Sequence, residues 1–155
     1  MSVTYTIREL LNSRNIPFRE LHHEPTFTSE ESAKVRGEAL GTGAKAILLK
    51  TDEKFCLFVI PADGKLDSAA IKRYLGLRKL RFATPAELFE VTGLVPGSVP
   101  PFGRPVLPVE LYADPAVGTR TGKVAFNAGS VTTSIVMGAK DWTSVASPAE
   151  FKFCS

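Results

Sequence analysis

The sequence is poor in the side chains that cross-link small domains or bind metals. Its 155 residues include two cysteines and two histidines. Cys56 lies in an apolar run, Cys154 is next to the last residue, and neither belongs to a CxxC pair. Disulfide frameworks and structural zinc sites need several clustered ligands, so this scarcity predicts neither. We expect reduced thiols and no metal.

Long apolar runs are also missing. No stretch approaches the roughly 18–20 residues of a membrane-spanning helix. The first ten residues, MSVTYTIREL, have neither the apolar core nor the cleavage site of a signal peptide. These absences lead us to expect a cytoplasmic protein. The length and the 44% hydrophobic content are typical of one globular domain, which we place at residues 1–155.

The excess of positive charge is small. The net charge of +3 weakly favours an anionic partner and is not a nucleic-acid signature by itself. Five cations nevertheless fall within ten residues, where they could either follow phosphates or form a solvated surface. This basic cluster consists of Lys72, Arg73, Arg78, Lys79 and Arg81.

The patterns predict a mixture of helices and strands. Apolar β-rich runs predict strands at 18–22, 44–50, 55–60, 106–112, 123–126 and 133–137. Helices are predicted at 6–14, after capping boxes at 28–31 and 84–87, and from Asp67 to Tyr74, with a final helical turn at 147–150. Without regular βαβ alternation, this order favours a mixed α+β domain over a doubly wound one.

Lys45 stands between Ala44 and Ala46 at the head of an apolar strand. A cation that enters a buried strand needs a partner or an anionic ligand. A lysine can also reach the surface along its methylene stem, so both interpretations stay open at this point. Gly41 and Gly43 do not form a Walker loop, because no GK[ST] follows them.

The two histidines, His22 and His23, are adjacent and precede a Glu-Pro pair. This pattern differs from HExxH, and neighbouring residues on a strand point to opposite faces. The sequence also offers no third ligand cluster. We expect one surface histidine and one hydrogen-bonded histidine that orients the turn.

Two loops have features of a binding site. Residues 93–103 are rich in glycine and proline but include apolar residues such as Val99 and Phe102. Such a loop can form a pocket wall or pack as an Ω-loop. The small-residue turn at 127–130 could aim backbone amides at an oxyanion, or it could be a plain turn.

Taken in order, these segments resemble the YbaK/prolyl-tRNA-synthetase-associated domain family. The resemblance spans roughly residues 18–140. It rests on HEPTFTSEE at 23–31, GAKAILL at 43–49, LFVIPAD at 57–63, KLD at 65–67, the loop at 93–103 and FNAGS at 126–130.

The resemblance implies a free-standing mixed α/β domain with a curved mixed sheet flanked by helices. It implies hydrolysis of the ester of a mischarged tRNA, with tRNA(Pro) carrying a small wrong amino acid such as alanine or cysteine as the expected substrate. It also implies no metal, no cofactor and a transient association with a synthetase.

The resemblance also implies the site residues. Lys45 is the functional lysine, and Gly129 supplies a backbone amide to the chemistry. The GxxxP substrate loop consists of Gly97, Ser98, Val99, Pro100 and Pro101. The other expected substrate-binding residues are His23, Thr26, Asn127, Ala128 and Ser130. The basic cluster is the expected tRNA-binding surface.

Two other functions stay open at this point. One is a non-catalytic nucleic-acid-binding or regulatory module of the same fold, and the other is hydrolysis of a different small acyl ester. Lys45 and the 97–101 loop are needed for editing but not for generic binding. No Ser-His-Asp pattern is present and Cys56 is a poor nucleophile, so we expect direct attack by water.

Overall fold

The computed structural model describes residues 2–155, which form five α-helices and eight strands. The helices are α1 Val3–Ser13, α2 Ser29–Arg36, α3 Ser68–Leu75, α4 Pro85–Thr92 and α5 Ala139–Ala146. The strands are β1 Phe18–His22, β2 Ala44–Thr51, β3 Lys54–Pro61, β4 Leu80–Phe82, β5 Glu110–Ala113, β6 Lys123–Asn127, β7 Thr133–Gly138 and β8 Ala149–Glu150.

The helix starts follow the predicted capping chemistry. The hydroxyl of Thr28 accepts a hydrogen bond from the amide of Glu31, whose side chain accepts from the amide of Thr28. Thr84 and Glu87 form the same reciprocal pair at the start of α4. Each pair satisfies amides that a helix start otherwise leaves free, so both predicted capping boxes are confirmed.

The strands form two sheets. Strands β1, β7 and β6 make an antiparallel sheet, and the second sheet has the order β4-β2-β3-β5-β8. The second sheet is mixed, because β3 pairs antiparallel with β2 and parallel with β5. A bridge between Gly43 and Ala125 joins the two sheets. The mixed α/β class is confirmed. The strands form two sheets joined by this bridge instead of the single curved sheet that was expected.

Two apolar clusters stabilise this arrangement. The larger lies between the two sheets and includes the fully buried side chains of Ile7, Leu57, Phe126 and Trp142. The smaller lies on the other face of the β2–β3 hairpin, against α3 and the C-terminal segment. Burial of one such side chain contributes about 1.5–3 kcal/mol, so the two clusters fix the position of β2 from both faces.

Parts of the C-terminal half differ from the prediction. The predicted strand at 106–112 is wrong in its first half, because Val106 and Leu107 both donate their amides to Gly103 in a turn. Extended pairing begins only at Glu110. The helical turn predicted at 147–150 is also wrong. Ser147 ends α5 with a φ of 48°, and Ala149–Glu150 pairs with β5 as a short strand.

In residues 2–155, no helix is long and apolar enough to cross a membrane.

Candidate active site

A polar cavity opens where the start of β2 meets the other sheet. Strand β4 pairs only with Leu49–Thr51 of β2, so the segment before it has no strand neighbour on that side. The cavity occupies this open edge and measures about 470 Å³. Its walls include Thr26, Arg36, Lys45, Gly97, Val99 and Asn127.

Lys45 lies at the mouth of this cavity. Its side chain is exposed, although β2 itself is paired with β3 along its whole length. Within residues 2–155 the ammonium has no hydrogen bond and no carboxylate within 4.0 Å. Lys45 is therefore held on a rigid strand with its charge available to a ligand. It also borders a second, more apolar cavity that includes Ile47, Leu66 and Phe82.

The 93–103 loop forms one wall through only part of its length. Gly97 and Val99 line the cavity, whereas Ser98, Pro100 and Pro101 are buried behind them. Ser98 closes its own turn by donating its hydroxyl to Val95 at 2.7 Å. The carbonyl of Pro101 accepts a hydrogen bond from the indole of Trp142, which ties the loop to α5. Three of the five predicted loop residues therefore support the wall without lining it.

Asn127 links this wall to the other sheet. Its side chain is buried at the end of β6, and its amide donates to the carbonyl of Gly97 at 2.7 Å. Its Oδ1 accepts from the guanidinium of Arg36 at 2.9 Å and faces the hydroxyl of Ser134 at 3.1 Å. One side chain thus positions both the loop and a buried cation.

Arg36 is the most unusual group in the site, and sequence reasoning missed it. The last residue of α2, it is only 8% exposed yet lines the cavity. No carboxylate lies within 4.0 Å of its guanidinium in the described part of the chain. Glu38, the acid closest in sequence, is shared by Arg19 and Lys123. Burial lowers the pKa of Arg36 to about 10, against the weaker opposing effect of Glu38.

The role of Arg36 in the site could not be inferred from the sequence, because basic residues are common in the last turn of a helix. Such residues complement the helix dipole from the surface, and Gly37 after it marks a helix end in the usual way. Nothing in the local pattern indicates that the side chain turns inward. Its partners lie 91 and 98 residues further along the chain, at Asn127 and Ser134.

His23 contacts the hydrogen-bond network of Arg36, Asn127 and Ser134. Its Nδ1 lies 2.8 Å from the carbonyl of Glu24, which can only accept, so Nδ1 carries a proton. Its Nε2 lies 2.8 Å from the hydroxyl of Ser134, and the oxygen of that hydroxyl accepts a hydrogen bond from Arg36 at 2.9 Å. His23 therefore contacts the network through Ser134, as the predicted hydrogen-bonded histidine. His22 is exposed beside Glu20.

Two of the amides in the 127–130 turn, those of Ala128 and Gly129, are already occupied. The Gly129 amide donates to the carbonyl of Ser98, and the Ala128 amide donates to the carbonyl of Thr133. A Cβ added at Gly129 would lie 2.9 Å from Val3, so this residue packs against α1. Ser130 bonds to Thr132 within its own turn. The Gly129 amide is therefore not free in this structure to serve as the predicted oxyanion donor.

The basic cluster lies outside the cavity walls. All five cations are exposed, on α3, on the following loop and on β4. Arg81 differs from the rest because Glu87 binds its guanidinium through two hydrogen bonds of 2.8 and 2.9 Å. No such ion pair holds Lys72, Arg73, Arg78 or Lys79 within residues 2–155.

The described residues offer neither a metal ligand set nor an activated nucleophile. No group of three or more His, Cys, Asp or Glu side chains between residues 2 and 155 could hold a metal ion. Burial raises the pKa of the Cys56 thiol, which disfavours the reactive thiolate. Ser32 donates its hydroxyl to Thr26 at 2.8 Å, and neither hydroxyl contacts a histidine or a carboxylate. The arrangement suits the binding and polarisation of an ester, with water as the attacking group.

A family model and the most similar relatives that were compared point to the same family. The family model described as the aminoacyl-tRNA editing domain matches residues 23–145. The chain is 34% identical over 149 residues to the multifunctional Ser/Thr-tRNA deacylase ProXp-y of Escherichia coli (strain K12), covering 93% of this chain and 88% of that protein. It is 32% identical over 99 residues to the proline–tRNA ligase of Bacillus licheniformis, covering 64% of this chain and 17% of the ligase.

A solved structure shares the fold. A candidate trans-editing enzyme for prolyl tRNA synthetase superposes with a TM-score of 0.81 and 24% sequence identity. The match covers 100% of this chain and 98% of that one. It shows that the overall fold of this chain is a known one.

Proposed function

Because this chain belongs to the aminoacyl-tRNA editing domain family, we propose that it is a free-standing deacylase that hydrolyses the ester of a mischarged tRNA in the cavity beside Lys45. The observation that supports the proposal most directly is that Lys45 and Arg36 line the same polar cavity. Neither cation has a carboxylate within 4.0 Å in residues 2–155. Two available cations suit a substrate whose reacting end joins a phosphodiester chain to an acyl group.

The shape of the site supports one orientation of the substrate. The aminoacyl group is the last part of a charged tRNA, so it enters the polar cavity first. The terminal ribose and phosphate then lie at the mouth, where the ammonium of Lys45 serves as a point charge with rotatable donors. The terminal nucleoside extends over the second cavity, whose apolar side chains such as Phe82 suit a base.

The chemistry proceeds without a covalent intermediate. Water adds to the ester carbonyl carbon, and the bond to the ribose oxygen then breaks, giving the free amino acid and a tRNA with its hydroxyl restored. An aminoacyl ester is already activated, so positioning and charge stabilisation supply most of the acceleration. Attack by Lys45 is disfavoured because it would leave a stable amide on the enzyme.

The polarity of the cavity supports a substrate with a hydroxyl group. Its lining includes four residues that carry hydroxyl groups, Thr26, Thr28, Ser29 and Ser32. The relative that is 34% identical is a Ser/Thr-tRNA deacylase. We therefore favour serine or threonine as the removed amino acid over the alanine or cysteine on tRNA(Pro) expected from the sequence. Association with a synthetase stays a prediction.

A panel of mischarged tRNAs tests this substrate. Seryl, threonyl, alanyl and cysteinyl esters are prepared on tRNA(Pro) and on one other tRNA, and the first-order rate constant of amino acid release is measured. We expect seryl or threonyl release to be at least about 10-fold faster than alanyl release, since sites that bond a hydroxyl discriminate against analogues without it. Fastest release from alanyl- or cysteinyl-tRNA(Pro) would restore the substrate expected from the sequence.

The exposed cations of the basic cluster are expected to bind the tRNA body. Replacement of Lys72, Arg73, Arg78 and Lys79 by glutamine should weaken tRNA binding and reduce the slope of log Kd against log salt by roughly one for each lost phosphate contact. Filter binding over a salt series measures both quantities. Arg81→Gln is the matched control, because Arg81 is already paired with Glu87 and should contribute less. An unchanged salt slope in the fourfold variant would show that the cluster is only a solvated surface.

A further inference from the structure

The buried guanidinium of Arg36 has a feature that its structural contacts leave unexplained. Its Nε donates to Ser134 and one terminal nitrogen, Nη2, donates to Asn127. The other terminal nitrogen, Nη1, has no hydrogen-bond partner in the described residues, and a Cβ added at Gly43 would lie 3.8 Å from it. No fully enclosed side-chain nitrogen in residues 2–155 lacks a partner, so Nη1 is accessible to solvent, and Arg36 lines the cavity.

A buried cation without a carboxylate is costly to a folded protein. Removal of a charge from water is compensated in most proteins by an ion pair or by a bound anion. Here both acceptors, the hydroxyl of Ser134 and Oδ1 of Asn127, are neutral. Glu30 is the one acid among the residues that line the cavity, and it lies exposed on the first turn of α2. The missing negative charge is therefore expected from the ligand.

We propose that Arg36 binds the acyl oxygen of the ester and stabilises the negative charge that develops on it during hydrolysis. This inference rests on the proposed deacylase function and replaces the amide role predicted for Gly129. When water attacks, the carbonyl electron pair moves onto the acyl oxygen. It returns when the bond to the ribose oxygen breaks, and the proton lost by the water is taken up by that leaving oxygen.

Burial decides between the acyl oxygen and a phosphate as the ligand of Arg36. The polynucleotide chain must leave through the mouth of the cavity, where the exposed Lys45 lies. Arg36 is 8% exposed and is held by side chains from β6 and β7, so it faces the part of the substrate that enters deepest. A cation shielded from water acts strongly on a charge that exists only in the transition state, and thus raises kcat rather than affinity.

The test compares Arg36→Met with wild type on the mischarged tRNA that is hydrolysed fastest. We expect kcat to fall by about 10²–10³-fold, the usual effect of losing an oxyanion donor. Affinity is measured with a tRNA whose serine is attached through a non-hydrolysable amide, and its Kd should change less than about threefold. The Tm should stay level or rise, because an apolar side chain of similar length removes the buried charge. Arg19→Met, which removes an exposed cation outside the cavity, should keep the wild-type kcat.

Three results would overturn the proposal. The first is a wild-type kcat in folded Arg36→Met. The second is a weakened Kd for the amide-linked tRNA with kcat unchanged, which would assign Arg36 to a phosphate or to ground-state binding. If Arg36→Met does not fold, Arg36→Gln is used instead, because it keeps a donor for Asn127 without the charge. The third result is a wild-type kcat in Arg36→Gln. An inactive wild-type protein would instead refute the proposed function, and this inference with it.

Discussion

Replacement of Lys45 by alanine is expected to slow deacylation by about 100-fold or more. The ammonium lies at the mouth of the cavity on a strand that is fixed by β3, so it can hold the ribose–phosphate end of the substrate in one place. Loss of that anchor lets the ester move relative to the attacking water. A displacement of about 1 Å is enough to cost roughly 10²-fold in rate.

The protein should remain folded after this change. Lys45 is exposed and forms no ion pair in residues 2–155, so its loss removes no buried contact. Single-turnover release of labelled amino acid measures the rate, and a melting curve confirms the fold. Lys45→Arg should recover only part of the activity, because the planar guanidinium occupies different space. Lys50→Ala, on the same strand but away from the cavity walls, is the matched control.

Folded Lys45→Ala protein that releases the amino acid at the wild-type rate would contradict this role for Lys45.

Replacement of Asn127 by alanine is expected to reduce kcat/KM by on the order of 100-fold. This side chain holds the carbonyl of Gly97 and the guanidinium of Arg36 at the same time. Its loss leaves a carbonyl without its donor and a buried cation with Ser134 as its remaining acceptor. An unsatisfied buried group costs about 1–3 kcal/mol, which applies here to the guanidinium of Arg36. The exposed Gly97 loses the contact that fixes its carbonyl, so we expect both the loop and the cation to shift.

The measurement combines steady-state kinetics with thermal melting. We expect a lower Tm for Asn127→Ala together with the loss of activity, since the same hydrogen bonds serve stability and positioning. Asn127→Asp keeps the acceptor for Arg36 but places a carboxylate against the Gly97 carbonyl, so it should also be impaired. Thr132→Ala, at an exposed position in the neighbouring turn, should retain wild-type activity. Wild-type kinetics in Asn127→Ala would show that the loop does not depend on this contact.

Local chemistry made much of the fold predictable. The capping boxes at Thr28 and Thr84 place hydroxyl and carboxylate groups at fixed spacing, so both helix starts follow from the sequence alone. The hairpin of β2 and β3 follows from two apolar runs with a short polar turn between them. Helix α5 was missed because its first position follows Gly138, which offers no side-chain cap.

The site was only partly predictable, because its key contacts join distant parts of the chain. Five of the residues expected in the site line one cavity: Thr26, Lys45, Gly97, Val99 and Asn127. Which amides remain free depends on pairing across the fold, and the Gly129 amide is taken by Ser98. The inward turn of Arg36 depends on acceptors in β6 and β7, so no local pattern could show it.

The most direct test of the proposed deacylase function is the hydrolysis of seryl- or threonyl-tRNA by the purified wild-type protein. Release of labelled amino acid is followed with and without protein, while filter binding records whether the tRNA is bound. We expect release well above the spontaneous rate with intact charged tRNA and much slower hydrolysis of the matching free amino-acid ester. Binding of tRNA without faster release of any amino acid in the panel would contradict the proposed function and identify a non-catalytic binding module.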